Sequence, residues 1–191
     1  MKETIALIAT ILAIVGNLPY VWDILKGRVR PHPYSWLVWS IVSCTVFFGM
    51  VQKGAGIGAL PTAASEIFTV IIFFFSLKYG FKKITKTDTF FLIIALCGLI
   101  PWALTHDPTI SVVIAVTIDL IAFVPTLRKT WHHPSTENPI LYGSNLLRHI
   151  LILFSLQTYN IATTLHSFAM ICTNTLMTLI IVGRKKKRSK F

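Results

Sequence analysis

An all-α integral membrane protein is the fold class this sequence predicts, and three observations predict it. The 191-residue chain is 54% hydrophobic and only 13% charged, and its mean hydropathy is +0.69, whereas an ordinary soluble domain carries roughly 25% charged residues. Apolar runs of about 20 residues, enough to cross roughly 30 Å of hydrocarbon, recur seven times along the chain. None shows the ten-residue alternation of a membrane barrel strand, and only closed hydrogen-bonding elements span lipid, so the runs read as helices.

Taken in order, the first run covers about 5–23 and has no small-x-small cleavage site before Pro19, so it reads as a retained span. The second, about 34–52, opens after Pro33 with Trp36 and Trp39 one helical turn apart. Those two rings suit an interfacial belt or, alternatively, a stacking wall for a ring-shaped solute. The third, 60–78, contains Glu66, and the fourth, 89–105, is the shortest and is followed by the tight connection THDPT. The fifth, 109–127, contains Asp119 and Pro125; the sixth, 139–157, starts at Pro139 and contains Arg148 and His149. The seventh, 163–182, places Asn174 between Thr173 and Thr175.

Seven spans put alternate connections on opposite sides, and the cations then sort. One side receives Lys26, Arg28 and Arg30; Lys78, Lys82, Lys83 and Lys86; Arg128 and Lys129; and the six cations of the tail GRKKKRSKF. The other receives only Lys2 and Lys53. Because basic residues are retained in the cytoplasm, the N-terminus is expected outside and the C-terminus inside. The net charge of +11 therefore belongs to membrane topology and anionic lipid head groups rather than to nucleic acid.

An internal repeat organises the spans. Pro19 and Pro33 stand fourteen apart, and Pro125 and Pro139 repeat that spacing 106 positions later. With this gapless offset the first three spans overlie the last three, and the fourth has no counterpart. Three helices reverse the chain's side, so one linker helix restores it and leaves two parallel three-helix bundles, a 3+1+3 plan. The expected units are a first bundle at 1–80, a linker at 81–107, a second bundle at 108–183 and a basic cytoplasmic tail at 184–191. Pro33 and Pro139 suit helix starts. Pro19 and Pro125 each free a carbonyl one turn earlier, and all four prolines are candidate hinges.

This plan, with a proline closing spans one and five before a basic turn, resembles the PQ-loop superfamily, which includes the SWEET sugar carriers, lysosomal amino-acid exporters and, more distantly, the KDEL receptors. The family's Pro-Gln dipeptide reads Pro19-Tyr20 and Pro125-Thr126 here. The stretch PYVWDILKGRVRPHPYSWLVW looks like a bacterial branch, which implies a bacterial plasma membrane. The resemblance implies solute transport, with Asn174 matching the asparagine that holds sugar in the second SWEET bundle; its repeat partner is Phe68.

Ionisable groups at membrane depth cost roughly 2.5–3.5 kcal/mol each and point to function. At 1.5 Å per residue, Asp119 lies roughly 15 Å from one end of its span and Arg148 roughly 14 Å from the other end of its own, so both reach the midplane. They either pair with each other or hold a ligand. Glu66, roughly 9 Å down its span, has no obvious cationic partner; it is either a proton carrier or a carboxylate wetted from the outer vestibule, and Asp119 is the other candidate carrier. Asn17, Asn145, Tyr142 and Trp39 complete the candidate substrate-binding set.

The expected function is alternating-access transport of a small polar solute such as a sugar, amino acid or related metabolite, with proton coupling an option. The alternative is a receptor or assembly factor that holds a peptide or lipid in the same cavity without moving it. No G-x-S-x-G, HExxH or Walker motif points to an enzyme. Every lysine falls outside the spans or at their ends, which disfavours a retinal Schiff base within the bundle. Cys44, Cys97 and Cys172 read as small packing residues, and His132 with His133 lack a third ligand, so no metal or cofactor is expected. Membrane lipid and a small solute are the expected partners, and homo-oligomerisation stays open.

Overall fold

A computed structural model of the protein describes residues 1–105 and 107–188, with the side chains of 98–103 and 185–188 outside that description. His106 in the tight connection and residues 189–191 of the expected basic tail lie outside the described residues. The described chain contains seven α-helices: α1 (Lys2–Leu25), α2 (Pro33–Gln52), α3 (Leu60–Tyr79), α4 (Lys86–Leu104), α5 (Pro108–His132), α6 (Pro139–Ser155) and α7 (Ile161–Arg188). Five of these regions are long and apolar enough to cross a membrane: α1, α2, α3 with the 3-10 turn before it, α5, and α7 as far as Arg184. By contrast α6 has 17 residues, which at 1.5 Å each is about 25 Å.

Local chemistry sets the helix starts. Pro33, Pro108 and Pro139 each occupy the first turn, where their missing N–H is not needed. Asp107 accepts from the amides of Thr109 at 2.6 Å and Ile110 at 3.1 Å, and Asn138 accepts from Ile140 at 2.8 Å. Those two amides hold the Asp107 carboxyl below the usual carboxylate range. Thr85 with Asp88, and Asn160 with Thr163, form reciprocal caps at α4 and α7. Gly27, at φ +69°, supplies the left-handed residue that ends α1.

Neither internal proline ends its helix. Beyond Pro19, α1 continues to Leu25, and beyond Pro125, α5 continues to His132. The expectation that these prolines close spans one and five is corrected. Each removes one backbone donor while the turns on either side retain theirs. Arg128 and Lys129 consequently sit on a helix and not in a basic turn.

Helix α3 packs against α1 and α2, and α7 packs against α5 and α6. Two seams join these groups, α1 on α6 and α2 on α5, while α4 lies mainly along α5. Both seams use glycine. A Cβ added at Gly16 would meet Ser144 Oγ at 2.4 Å, and one at Gly49 would meet Val112 Cγ2 at 2.4 Å. One buried apolar cluster, including Val42, Val46, Met50, Ile152 and Leu156, lies toward the ends where α2 and α6 finish. A second, including Tyr20, Ile24, Trp36, Tyr142 and Ile181, lies toward the ends where they begin.

The cysteines are free and exposed, so the expectation of interior packing residues fails for Cys44, Cys97 and Cys172. Their segments are apolar all round, and hydropathy alone does not say which face turns inward.

Candidate functional site

Between the seams lies a cavity of about 90 Å³ lined by six of the seven helices, all but α4. It gathers Trp39 from α2, Glu66 from α3, Asp119 from α5, Tyr142, Asn145 and Arg148 from α6, and Asn174 from α7. Asn17, His149 and His166 join them. Five pairs of positions 106 apart line this one space: Asn17 and Phe123, Trp36 and Tyr142, Trp39 and Asn145, Val42 and Arg148, Ser43 and His149. The two members of each pair carry different side chains.

The charged groups are arranged sparingly. Asp119 and Arg148 do not form the ion pair that was one of the two sequence expectations. Asp119 Oδ2 instead lies 3.7 Å from His166 Nε2. Arg148 donates from Nε to Asn145 Oδ1 at 3.3 Å, and its Nη2 contacts His149 Nε2 at 2.9 Å. A guanidinium has only donors, so His149 Nε2 accepts, which places the ring proton on Nδ1 toward Ser167 Oγ at 3.3 Å. The His149 and His166 rings meet edge to face at 5.3 Å. Arg148 Nη1, Asp119 Oδ2 and His166 Nδ1 are buried with no hydrogen-bond partner.

Glu66 accepts from the hydroxyl of Ser43, and the Cys44 thiol stands 3.6 Å from its other oxygen. Among the described residues it has no cation within ion-pair distance. Asn17 and Asn174 each spend one amide hydrogen on the carbonyl a turn back, Ala13 and Met170, both at 2.7 Å.

Trp36 and Trp39 are interior residues, not the interfacial belt that was one reading of their spacing. Trp36 is 6% exposed, and the rings run in series from Tyr20 to Trp36 at 5.6 Å, to Trp39 at 5.2 Å and to Phe123 at 5.9 Å. This aromatic layer separates the cavity from a dense polar network at the end where α2 and α6 begin.

In that network Lys129, fully buried on α5, pairs with Glu137 and donates to the Arg30 carbonyl at 2.8 Å. Tyr20 donates to Glu137 at 3.0 Å, and the Arg30 amide donates to the Thr136 carbonyl at 3.1 Å. Arg128 grips Asp88 through Nε at 2.9 Å and Nη2 at 2.5 Å, while His32 lies 3.6 Å from the same carboxylate. Burial pushes the His32 pKa down to about 4 despite Asp88, so the ring is neutral at pH 7. Sequence reasoning missed Lys129, Glu137 and His166. The sequence places Lys129 among the cations of a connecting turn, and the run of α5 past Pro125 to His132 carries it inside.

At the opposite end, backbone outside the helices is tied to protein. Lys2 donates to the Leu156 carbonyl at 2.6 Å, Asn160 to the Lys53 carbonyl at 3.1 Å, and the Gln157 amide to the Ala55 carbonyl at 3.3 Å. Among the described residues no group of three or more His, Cys, Asp or Glu side chains is placed to hold a metal ion. Compared with protein-family models, curated proteins and solved structures, the chain matches none.

Proposed function

We propose that this protein is a carrier of a small polar solute that works by alternating access of two parallel three-helix bundles bridged by α4, on the PQ-loop plan. The observation that carries the reading is the cavity itself: five repeat-related pairs of positions line one polar space at mid-helix depth. A site on the axis between two like units is what a rocking mechanism needs, because each bundle must hold the solute from its own side. The packing of α1 on α6 and α2 on α5, with α3 and α7 each behind its own pair, supports the 3+1+3 division.

The aromatic layer and the Lys129–Glu137 network supply a closed gate at one end. The basic connections at that same end support a cytoplasmic assignment for it, with the N-terminus outside. Glu66 and Asp119 are the acids available for proton coupling. If Glu66→Gln leaves pH-dependent flux unchanged, Glu66 is not that carrier.

Reconstitution into liposomes tests the proposal directly. Saturable flux of a small solute, lost on filling the cavity with Asn145→Trp, is the expected result. Ligand binding without flux assigns the receptor class instead.

A further inference from the structure

We infer that the solute taken by this cavity bears a carboxylate, and that Arg148 receives it. This rests on the carrier reading of the same cavity and narrows it to a chemical class. Arg148 is 5% exposed at the middle of α6, and among the described residues no Asp or Glu oxygen comes within 4.0 Å of it. Its two satisfied nitrogens face neutral groups, Asn145 and His149, and Nη1 has no partner. A buried cation held only by neutral acceptors leaves its charge uncompensated.

The protein's own acids do not supply that compensation. Asp119 lies against His166 on α7, and Glu66, which lines the same cavity from α3, is engaged by Ser43 and Cys44 of α2. An entering carboxylate would meet Nη1 in a charge-assisted bond roughly twice as strong as a neutral one. Sugar hydroxyls would accept the hydrogen bond and leave the charge as it was.

Volume limits the rest of the molecule. At about 90 Å³ the cavity has room for roughly six to nine water-sized groups, well below the 300–1,000 Å³ of sites for drug-sized ligands. A carboxylate of three or four carbons fits that volume; a disaccharide or nucleotide exceeds it. Simple monocarboxylates and α-amino acids share this head group. They differ in whether an ammonium takes up the free Asp119 Oδ2.

Thermal unfolding of the purified full chain in detergent at pH 7 and constant ionic strength tests the inference. The probes are sodium propionate, alanine, propionamide, glucose and sodium chloride. Propionate or alanine should raise Tm by several degrees over chloride at saturation, because a ligand that binds only the folded form stabilises it. Propionamide, the same shape without charge, should not. A larger shift with alanine assigns the zwitterion and Asp119; a larger shift with propionate assigns the simple anion.

Arg148→Gln should abolish the shift, and Arg148→Lys, which keeps the charge but loses the fork, should weaken affinity about tenfold. The inference is overturned if propionamide matches propionate, if glucose alone shifts Tm, if no carboxylate does, or if the shift survives in Arg148→Gln. The propionamide comparison uses only the wild-type chain, so it stands even where a variant fails to fold. Flux is a separate reading: carboxylate binding with no transport removes the carrier and leaves this assignment, whereas sugar transport with no carboxylate binding does the reverse.

Discussion

Two regions of this protein bury charge, and they do it in opposite ways. In the network at the start of α2 and α6, the buried ions Lys129, Glu137 and Asp88 meet opposite charges and further donors or acceptors. In the cavity at mid-helix depth, Arg148, Asp119 and Glu66 sit within one space and leave each other unpaired. The first pattern holds helices together, since removing one member strands the other in low dielectric. The second leaves Arg148 Nη1 and Asp119 Oδ2 buried without hydrogen-bond partners, and the carboxylate proposal rests on that difference.

Substitutions can break that comparison, and the largest effect belongs to the network. Glu137→Ala should lower stability by about 3–5 kcal/mol, because Lys129 is then buried without its counter-ion. Replacing both as Lys129→Met with Glu137→Leu should recover more than half of the loss. Thermal unfolding of the single and double variants checks this, and equal stability of the two would show that the pair is not the source.

Next comes Asp88→Asn, which weakens the two-pronged Arg128 contact and the α4 cap. A loss of about 1.5 kcal/mol is expected, toward the low end for charged hydrogen bonds because Arg128 is partly exposed.

Acidification probes the same region through His32, whose neighbours are Asp88 on α4 and Arg128 and Lys129 on α5. Its folded pKa of about 4 lies below the ordinary 6.5. The neutral ring's contribution is therefore complete above pH 6.5 and is lost as pH falls from 6.5 toward 4. His32→Gln should show a shallower decline of Tm across that window than the wild type. Parallel curves would mean that His32 does not titrate there.

The smallest stability effect is expected in the cavity. Arg148→Gln removes an uncompensated charge and should leave Tm within a few degrees of wild type or above it, while ligand-induced stabilisation disappears. A collapse as large as that of Glu137→Ala would erase the distinction between the regions.

Much of the framework was legible in one dimension. Hydropathy located all seven helices, and Pro33 and Pro139 marked two helix starts to the residue. Five pairs of positions at the offset of 106 line the cavity, and the other lining residues have no lining partner at that offset. Depth along a helix follows from counting at 1.5 Å per residue, so Asp119, Arg148 and Asn174 could be assigned to one level.

Rotation about the helix axis could not be read in the same way. Uniformly apolar helices carry little record of which face turns inward. Cys44 therefore reads as a packing residue yet is exposed, the interfacial reading of Trp36 fails because the ring is buried, and the sequence does not point to His166 as the neighbour of Asp119. Lys129 eludes the sequence for a different reason: the apolar run ends at 127, whereas the helix continues through Pro125 to His132.

The length of α6 bears on the surrounding lipid. At about 25 Å it is roughly 5 Å short of a typical hydrocarbon core, and the polar residues that follow it are tied to backbone carbonyls of the facing loop. With α6 crossing as proposed, the acyl tails beside it must shorten or splay while those beside the 25-residue α5 stand at full height. The bilayer around this molecule is then lopsided, and under the carrier proposal acyl-chain length becomes a variable to which flux should respond.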